Sequence, residues 1–240
     1  MKPALQWIWK WTKRIFIFLF VFQLCCIILF KWVNPPITMT QLVSYLSGNG
    51  LSRNYVDDEK ISYQAKLAVI ASEDQLFPDH NGFDWKSIEK ARKYNERKPN
   101  RIRGASTISQ QVAKNVFLWQ GRSWFRKGLE VYFTFMIELV WGKKRILEVY
   151  LNVIEMGKGI FGIEAAAKNY FNKSATDLTR SEAASIAAGL PNPKKYTVKP
   201  LSNYVASKRN WVMQQMNNLE GDEDIQKIIT GEKPEKKNKK

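Results

Sequence analysis

Three short segments of the chain carry side chains whose types and spacing suit chemistry. The first runs from Glu73 to Asp84 and places Glu73 and Asp74 where an apolar, helix-periodic stretch gives way to Pro78 and Gly82. A carboxylate at a helix end beside a cleft has its pKa raised when burial removes water, which suits a general base or acid. A solvated helix cap has the same sequence, so spacing alone leaves both readings open. The second segment runs from Gly104 to Asn115. A glycine and the hydroxyls of Ser106 and Thr107 open a helix whose free N–H groups and positive dipole end suit a phosphate, with Lys114 about two turns on. A plain capped helix reads the same way. The third is Arg126, Lys127 and Glu130, where on a helix the two cations stand i, i+4 and i, i+3 to the carboxylate. An ordinary surface ion pair also has this spacing, and contributes only about 0.5 kcal/mol.

The elements that must hold these residues read as mainly helical. Tyr63, Leu67 and Ile70 recur at helical spacing, as do Ile108, Val112 and Val116, and Ile146, Val149, Tyr150 and Val153. Thr107 with Gln110, and Thr179 with Glu182, have the form of capping boxes and predict two helix starts. No long alternating run appears, so β structure is expected to be limited to one short hairpin. Residues 34–60, with two prolines and glycines around a short apolar piece, MTQLVSYL, that could form one helix, read as a linker. Residues 61–220 read as the folded domain and 221–240 as a charged tail, whose final KPEKKNKK is expected to be disordered.

Residues 1–33 read as a cytoplasmic N-terminus and a single transmembrane anchor. From Ile15 to Phe30 only Gln23 is polar, and Trp32 and Val33 extend the run toward the length that a ~30 Å hydrocarbon core requires. Lys10, Lys13 and Arg14 precede it and only Lys31 follows, so the positive-inside rule keeps the N-terminus in the cytoplasm and the rest outside. No small-residue cleavage site follows, which argues against a signal peptide. A chain of 240 residues with 38 Lys+Arg against 22 Asp+Glu reads either as a solvated basic surface or as the mark of a polyanionic partner. Outside the cytoplasm that partner is a lipid headgroup or a phosphate-bearing substrate, and nucleic acid is set aside. Both cysteines, Cys25 and Cys26, lie in the apolar run, which leaves the domain without a disulfide or a cysteine metal cluster. The single histidine, His80, argues against a histidine-rich zinc site. Val116 to Phe125, rich in aromatics with Arg122 and Arg126 beside them, reads either as a membrane-touching lip or as core packing.

In order along the chain, these segments resemble the family 51 glycosyltransferases, the peptidoglycan transglycosylase domain of class A penicillin-binding proteins and of monofunctional enzymes. The family's E-D-x-x-F-x-x-H-x-G matches Glu73, Asp74, Phe77, His80 and Gly82. G-x-S-T-I-x-Q-Q-x-x-K-N matches Gly104, Ser106, Thr107, Ile108, Gln110, Gln111, Lys114 and Asn115. R-K-x-x-E matches Arg126, Lys127 and Glu130, and K-x-x-I-L-E-x-Y-L-N matches Lys143, Ile146, Leu147, Glu148, Tyr150, Leu151 and Asn152. A fifth motif falls on Glu182, Ala183 and Ala184, so that the resemblance covers Ile61 to Pro193. It implies a lysozyme-like α domain at the bacterial cytoplasmic (inner) membrane, with its catalytic part periplasmic, that polymerises lipid II into β-1,4-linked glycan and releases undecaprenyl pyrophosphate. By the same resemblance Glu73 is the general base. Glu130 is the second catalytic carboxylate, steadying the donor side and offering a ligand to a divalent cation (Mg or Mn). Asp74, Ser106, Gln111, Lys114, Asn115, Arg126 and Lys127 are the expected substrate-binding residues, although Ser106, Gln111 and Asn115 could equally be helix-capping or core-satisfying polar groups. His80, read from its place after a proline turn, is expected to brace the loop that holds Glu73. Expected partners are lipid II, the growing lipid-linked strand, membrane lipid and proteins of wall synthesis or division.

Two rival readings remain at this stage. A glycan-cleaving enzyme on the same scaffold would need an acid for the glycosidic oxygen and no cationic cluster. A membrane-tethered basic scaffold would need neither. A transpeptidase module is not expected: Ser87 and Lys90 form an S-x-x-K tetrad without a following Lys-Thr-Gly.

Overall fold

The computed structural model describes residues 3–99, 103–121 and 123–231. It separates into two units, divided after Pro35. The first is a single helix, α1 (Pro3–Leu29). Its apolar part, Leu5–Leu29, has 25 residues, long enough at 1.5 Å rise to cross a ~30 Å hydrocarbon core. It fits a single-pass membrane anchor. The helix starts well before Ile15, where the apolar run was expected to begin, because Trp7, Ile8, Trp9 and Trp11 continue the apolar pattern between the basic residues.

The second unit is mainly α, as the periodicity requires. Its helices are α2 (Met39–Leu46), α3 (Tyr63–Glu73), α4 (Trp85–Arg97), α5 (Ile108–Phe117), α6 (Trp124–Val140), α7 (Lys143–Val153), α8 (Ile163–Phe171), α9 (Arg180–Gly189), α10 (Asn203–Leu219) and α11 (Glu223–Thr230). A small sheet is ordered β1 (Ser52–Arg53), β3 (Ile160–Phe161), β2 (Glu155–Gly157). β2 and β3 form the expected hairpin, and β1 adds to β3 in parallel. Both sequence-derived capping boxes are present, at Thr107 with Gln110 and at Thr179 with Glu182.

Helix α3 is buried from Ala65 to Ala71 and packs against α9, α10 and α11. Burial on every side makes it the axis of the core, and Glu73 is its last residue. Lys66 lies inside that buried run at the cost of desolvation. Its ammonium is matched by Asp58 at 2.7 Å and by the carbonyl of Ile229 at 3.3 Å. The second layer is α5 against α6 and α7. Asn152 on α7 clamps the segment before α3, accepting from the Val56 N–H and donating to the Val56 carbonyl, both at 2.9 Å.

Two boundaries differ from the sequence reading. Residues 34–60 are not a free linker, because α2 packs on α5 and the Thr40 hydroxyl donates to Asn115 Oδ1 at 3.0 Å. Residues 221–231 are not tail either. Ile225 and Ile229 of α11 are buried, and the helix covers α3. The apolar piece MTQLVSYL is α2 itself, whereas charge in the sequence hid α11, which has only a turn or two of apolar residues to show. The final KPEKKNKK lies outside the described residues, as does Arg122.

Candidate active site

The first two motifs form one unit around a buried carboxylate. Asp74 is 7% exposed. One oxygen lies 3.0 Å from His80 Nε2 and the other accepts the N–H of Ile108, the first residue of α5, at 3.0 Å. His80 Nδ1 accepts from the Gly82 N–H at 3.2 Å, so Nε2 carries the proton that Asp74 receives. The Thr107 hydroxyl donates to the Gly82 carbonyl at 2.7 Å and accepts from Gln110 N–H. Lys143 of the fourth motif donates to the His80 carbonyl at 2.5 Å and to Glu138 at 2.7 Å. His80 thus braces the loop as expected. Asp74, expected to bind substrate, has both oxygens engaged within the protein and fixes the start of α5. Of the N-terminal N–H groups of α5, read as a phosphate seat, that of Ile108 is taken by Asp74 and those of Gln110 and Gln111 by Thr107.

This bracing leaves Glu73 at the edge of a cleft of about 870 Å³, whose walls include Ser106, Gln111, Lys90, Arg103 and Trp211. Gln111 donates its side-chain amide to Glu73 Oε2 at 2.8 Å. Burial pushes the Glu73 carboxyl above its ordinary value, while the Gln111 bond and the nearby Lys208 ammonium pull the other way. Lys208 is held down chiefly by its own burial. It lies over the Trp211 ring, 3.3 Å from the centroid. Lys208, Trp211 and Arg103 were not singled out in the sequence. The i, i+3 pair on α10 lies among other basic and apolar residues, and Arg103 is one of several arginines before the second motif.

A second polar centre lies between α5 and α6, outside that cleft. Glu130 is 3% exposed and receives Arg126 Nη1 at 2.7 Å on one oxygen and the Lys127 ammonium on the other. Arg126 also donates Nε to the Gly121 carbonyl at 2.9 Å. Lys114 reaches the same neighbourhood from α5. Burial pushes its ammonium down, Glu130 supports it, and Arg126 and Lys127 oppose it. Three cations and one carboxylate leave two positive charges in a half-dehydrated corner, a site for a multiply charged anion. A divalent cation does not fit this donor set, because both Glu130 oxygens are occupied and the remaining groups are cations. Among the described residues no cluster of three His, Cys, Asp or Glu forms a metal site.

Asn115 turns away from both centres. It is 3% exposed, accepts from Thr40 and donates to the Gln111 carbonyl at 2.8 Å, so its amide is engaged within the protein and ties α2 to α5. The aromatic stretch divides. Phe117 stacks on Phe133 with centroids 4.7 Å apart, whereas Trp119, Trp124 and Phe125 are exposed. Helix α6 continues the exposed face with Val131, Phe135 and Leu139.

Comparison with known proteins gives this arrangement its class. Residues 39–217 match the family model described as Transglycosylase, and the chain belongs to that family of glycosyl-transferring enzymes. More particularly, it is 49% identical over 228 residues to the biosynthetic peptidoglycan transglycosylase of Yersinia pseudotuberculosis serotype O:3 (strain YPIII), covering 92% of this chain and 95% of that protein. It is 50% identical over 221 residues to the protein of the same description from Yersinia pestis (strain Pestoides F), covering 89% and 92%.

Proposed function

We propose that the chain polymerises lipid II into β-1,4-linked glycan, with Glu73 as general base. The C4 hydroxyl oxygen of the acceptor attacks C1 of the growing strand as its proton passes to Glu73. The bond from C1 to the pyrophosphate oxygen breaks on the opposite face, undecaprenyl pyrophosphate leaves with the electron pair, and the anomeric centre inverts. The leaving group gains negative charge as the bond stretches, and Lys114, Arg126 and Lys127 supply the compensating field. Glu130 keeps Arg126 and Lys127 aimed at that position.

The observation that carries this reading is the placement of both centres on α5. Gln111 holds Glu73, and Lys114, one turn on and about 5–6 Å away between Cβ atoms, faces the cationic corner. A base and a sink for an anionic leaving group at adjacent turns suit transfer from a pyrophosphate donor. Hydrolysis of a neutral glycosidic bond has no use for the second. The anchor agrees with a lipid-linked substrate. Its flanking charges favour an inner-membrane protein with cytoplasmic N-terminus and periplasmic domain. Exposed Trp119, Trp124 and Phe125 suit the headgroup boundary.

The test is incubation of the purified chain with labelled lipid II, with and without moenomycin, the inhibitor expected from the family resemblance. Polymer that is lost with inhibitor, and a rate about 10²–10⁴-fold lower for Glu73→Gln, are the expected results. Undiminished synthesis by Glu73→Gln would remove Glu73 as base, and soluble fragments released from preformed glycan would favour a cleaving enzyme.

A further inference from the structure

The hydrogen bond from Gln111 to Glu73 depends on which way round the Gln111 amide sits, and Glu73 is not its only neighbour. An amide has a donor end and an acceptor end of nearly the same shape, so its orientation is decided by what lies on each side. On one side Nε2 meets Glu73 Oε2 at 2.8 Å. On the other, the hydroxyl of Tyr150 lies 3.3 Å from Gln111 Oε1. Tyr150 is among the largest fully buried side chains, at 0% exposure, in the middle of α7. Because α7 packs on α5, the phenol reaches Gln111 from a second helix, and Tyr150 is not among the residues that line the cleft. The reading that Glu73 is the base assigned no part to this tyrosine.

We propose that Tyr150 is a positioning residue, whose hydroxyl fixes the Gln111 amide with its NH2 group toward Glu73. The inference rests on the reading of Glu73 as base and concerns how that base is kept ready. An ionised carboxylate only accepts hydrogen bonds, so the NH2 group suits it and the flipped carbonyl would repel it. A protonated carboxyl is served best by the carbonyl. Without a second neighbour the amide would turn to follow the proton. Tyr150 opposes this: against a flipped amide the phenol oxygen could accept from NH2, but its own proton would lose the acceptor that Gln111 Oε1 now provides, at a site closed to water. The phenol remains a donor at all working pH values, since burial first and then the charges of Glu73 and Asp74 push its pKa well above the usual 10.0. Held in place, the amide favours the ionised form of Glu73 and opposes the upward push of burial.

The experiment uses the full chain in detergent and four forms: wild type, Tyr150→Phe, Gln111→Ala and the double variant. Rate of lipid II polymerisation is measured against pH, and the Glu73 carboxyl is titrated separately by carbon NMR, which needs no turnover. Tyr150→Phe keeps the ring that fills the core. It is expected to move the acid limb and the Glu73 titration upward by about half to one unit, the equivalent of one net hydrogen bond. At a fixed pH on that limb this is about a three- to tenfold loss, with a smaller loss on the plateau. In the Gln111→Ala background Tyr150→Phe should produce no further shift. A uniform loss at every pH with the Glu73 titration unmoved, or a shift that persists undiminished in Gln111→Ala, would overturn the proposal. If Tyr150→Phe does not fold, the wild type still decides. Its Tyr150 hydroxyl proton should exchange slowly and show contact with the Gln111 side chain, and exchange as fast as that of a surface tyrosine would refute the bond. Failure of the base reading appears elsewhere, as full activity of Glu73→Gln, and leaves the titration shift readable.

Discussion

Replacing Arg126 by Met, compared with replacing Lys127 by Met, tests whether the cationic corner is a buried structure or a surface pair. Both residues bond Glu130, whose side chain is 4% exposed, but Arg126 is 10% exposed and Lys127 40%. Removing one partner of a buried pair costs about 3–5 kcal/mol, because a charge is left behind. In Arg126→Met the Lys127 ammonium still holds one oxygen, which places the cost near the lower end, about 3 kcal/mol. Loss of the bond from Nε to the Gly121 carbonyl adds about 1 kcal/mol. For Lys127→Met solvent screens the pair and Arg126 remains, so the cost is about 0.5–1 kcal/mol. The difference, about 3 kcal/mol, corresponds to about 6–12 °C in Tm for a domain of this size. Thermal and urea unfolding of the detergent-solubilised chain, followed by circular dichroism, reads it. The same Arg126→Met change in a Glu130→Gln background should cost about 2 kcal/mol less, since no charge is abandoned. Equal costs for the two cations, or the same Arg126 cost in both backgrounds, would refute the argument.

Three further outcomes follow from particular contacts. Glu73 has a raised pKa in the folded state, so its contribution to stability is complete below the ordinary 4.5 and is lost as pH rises through the folded value. Glu73→Gln should therefore raise Tm at neutral pH while slowing synthesis about 10²–10⁴-fold, with the gain disappearing in acid; a gain independent of pH would contradict this. Gly82 has φ +86°, and a Cβ there would come within 2.7 Å of Thr134 Cγ2. Gly82→Ala should cost about 2–4 kcal/mol from strain and overpacking together, read by urea unfolding. Ile229→Ala, in a segment that resembles a charged tail, should cost about 2–4 kcal/mol as a core truncation does, and a change under 0.5 kcal/mol would mean that α11 is not docked.

What could be read along the chain was local. Helix α3 and the start of α5 were legible because apolar spacing and the Thr107 capping box act within one or two turns. The apolar anchor was legible because it needs no partner to be recognised. The internal bonds of Asp74 and Asn115 were not legible, because these residues share motifs with Glu73 and Gln111, and a motif does not tell which polar group finds its partner within the protein. Helix α11 was missed, and the docking of α2 with it, because their stability comes from the surfaces that they cover on α3 and α5.

The order of residue types therefore determined the family, the helical class and the set of polar side chains from which a site could be built. Tertiary structure decided their division: Glu73 and Gln111 at the cleft, Asp74 bracing its wall, Asn115 tying α2 to α5, and Glu130 between two cations where a metal ion has no free ligand. It also brought in Tyr150, Lys208 and Trp211. The physical reason is that desolvation and hydrogen-bond pairing, which set what a carboxylate or an amide can do, depend on neighbours supplied by helices far apart in the chain.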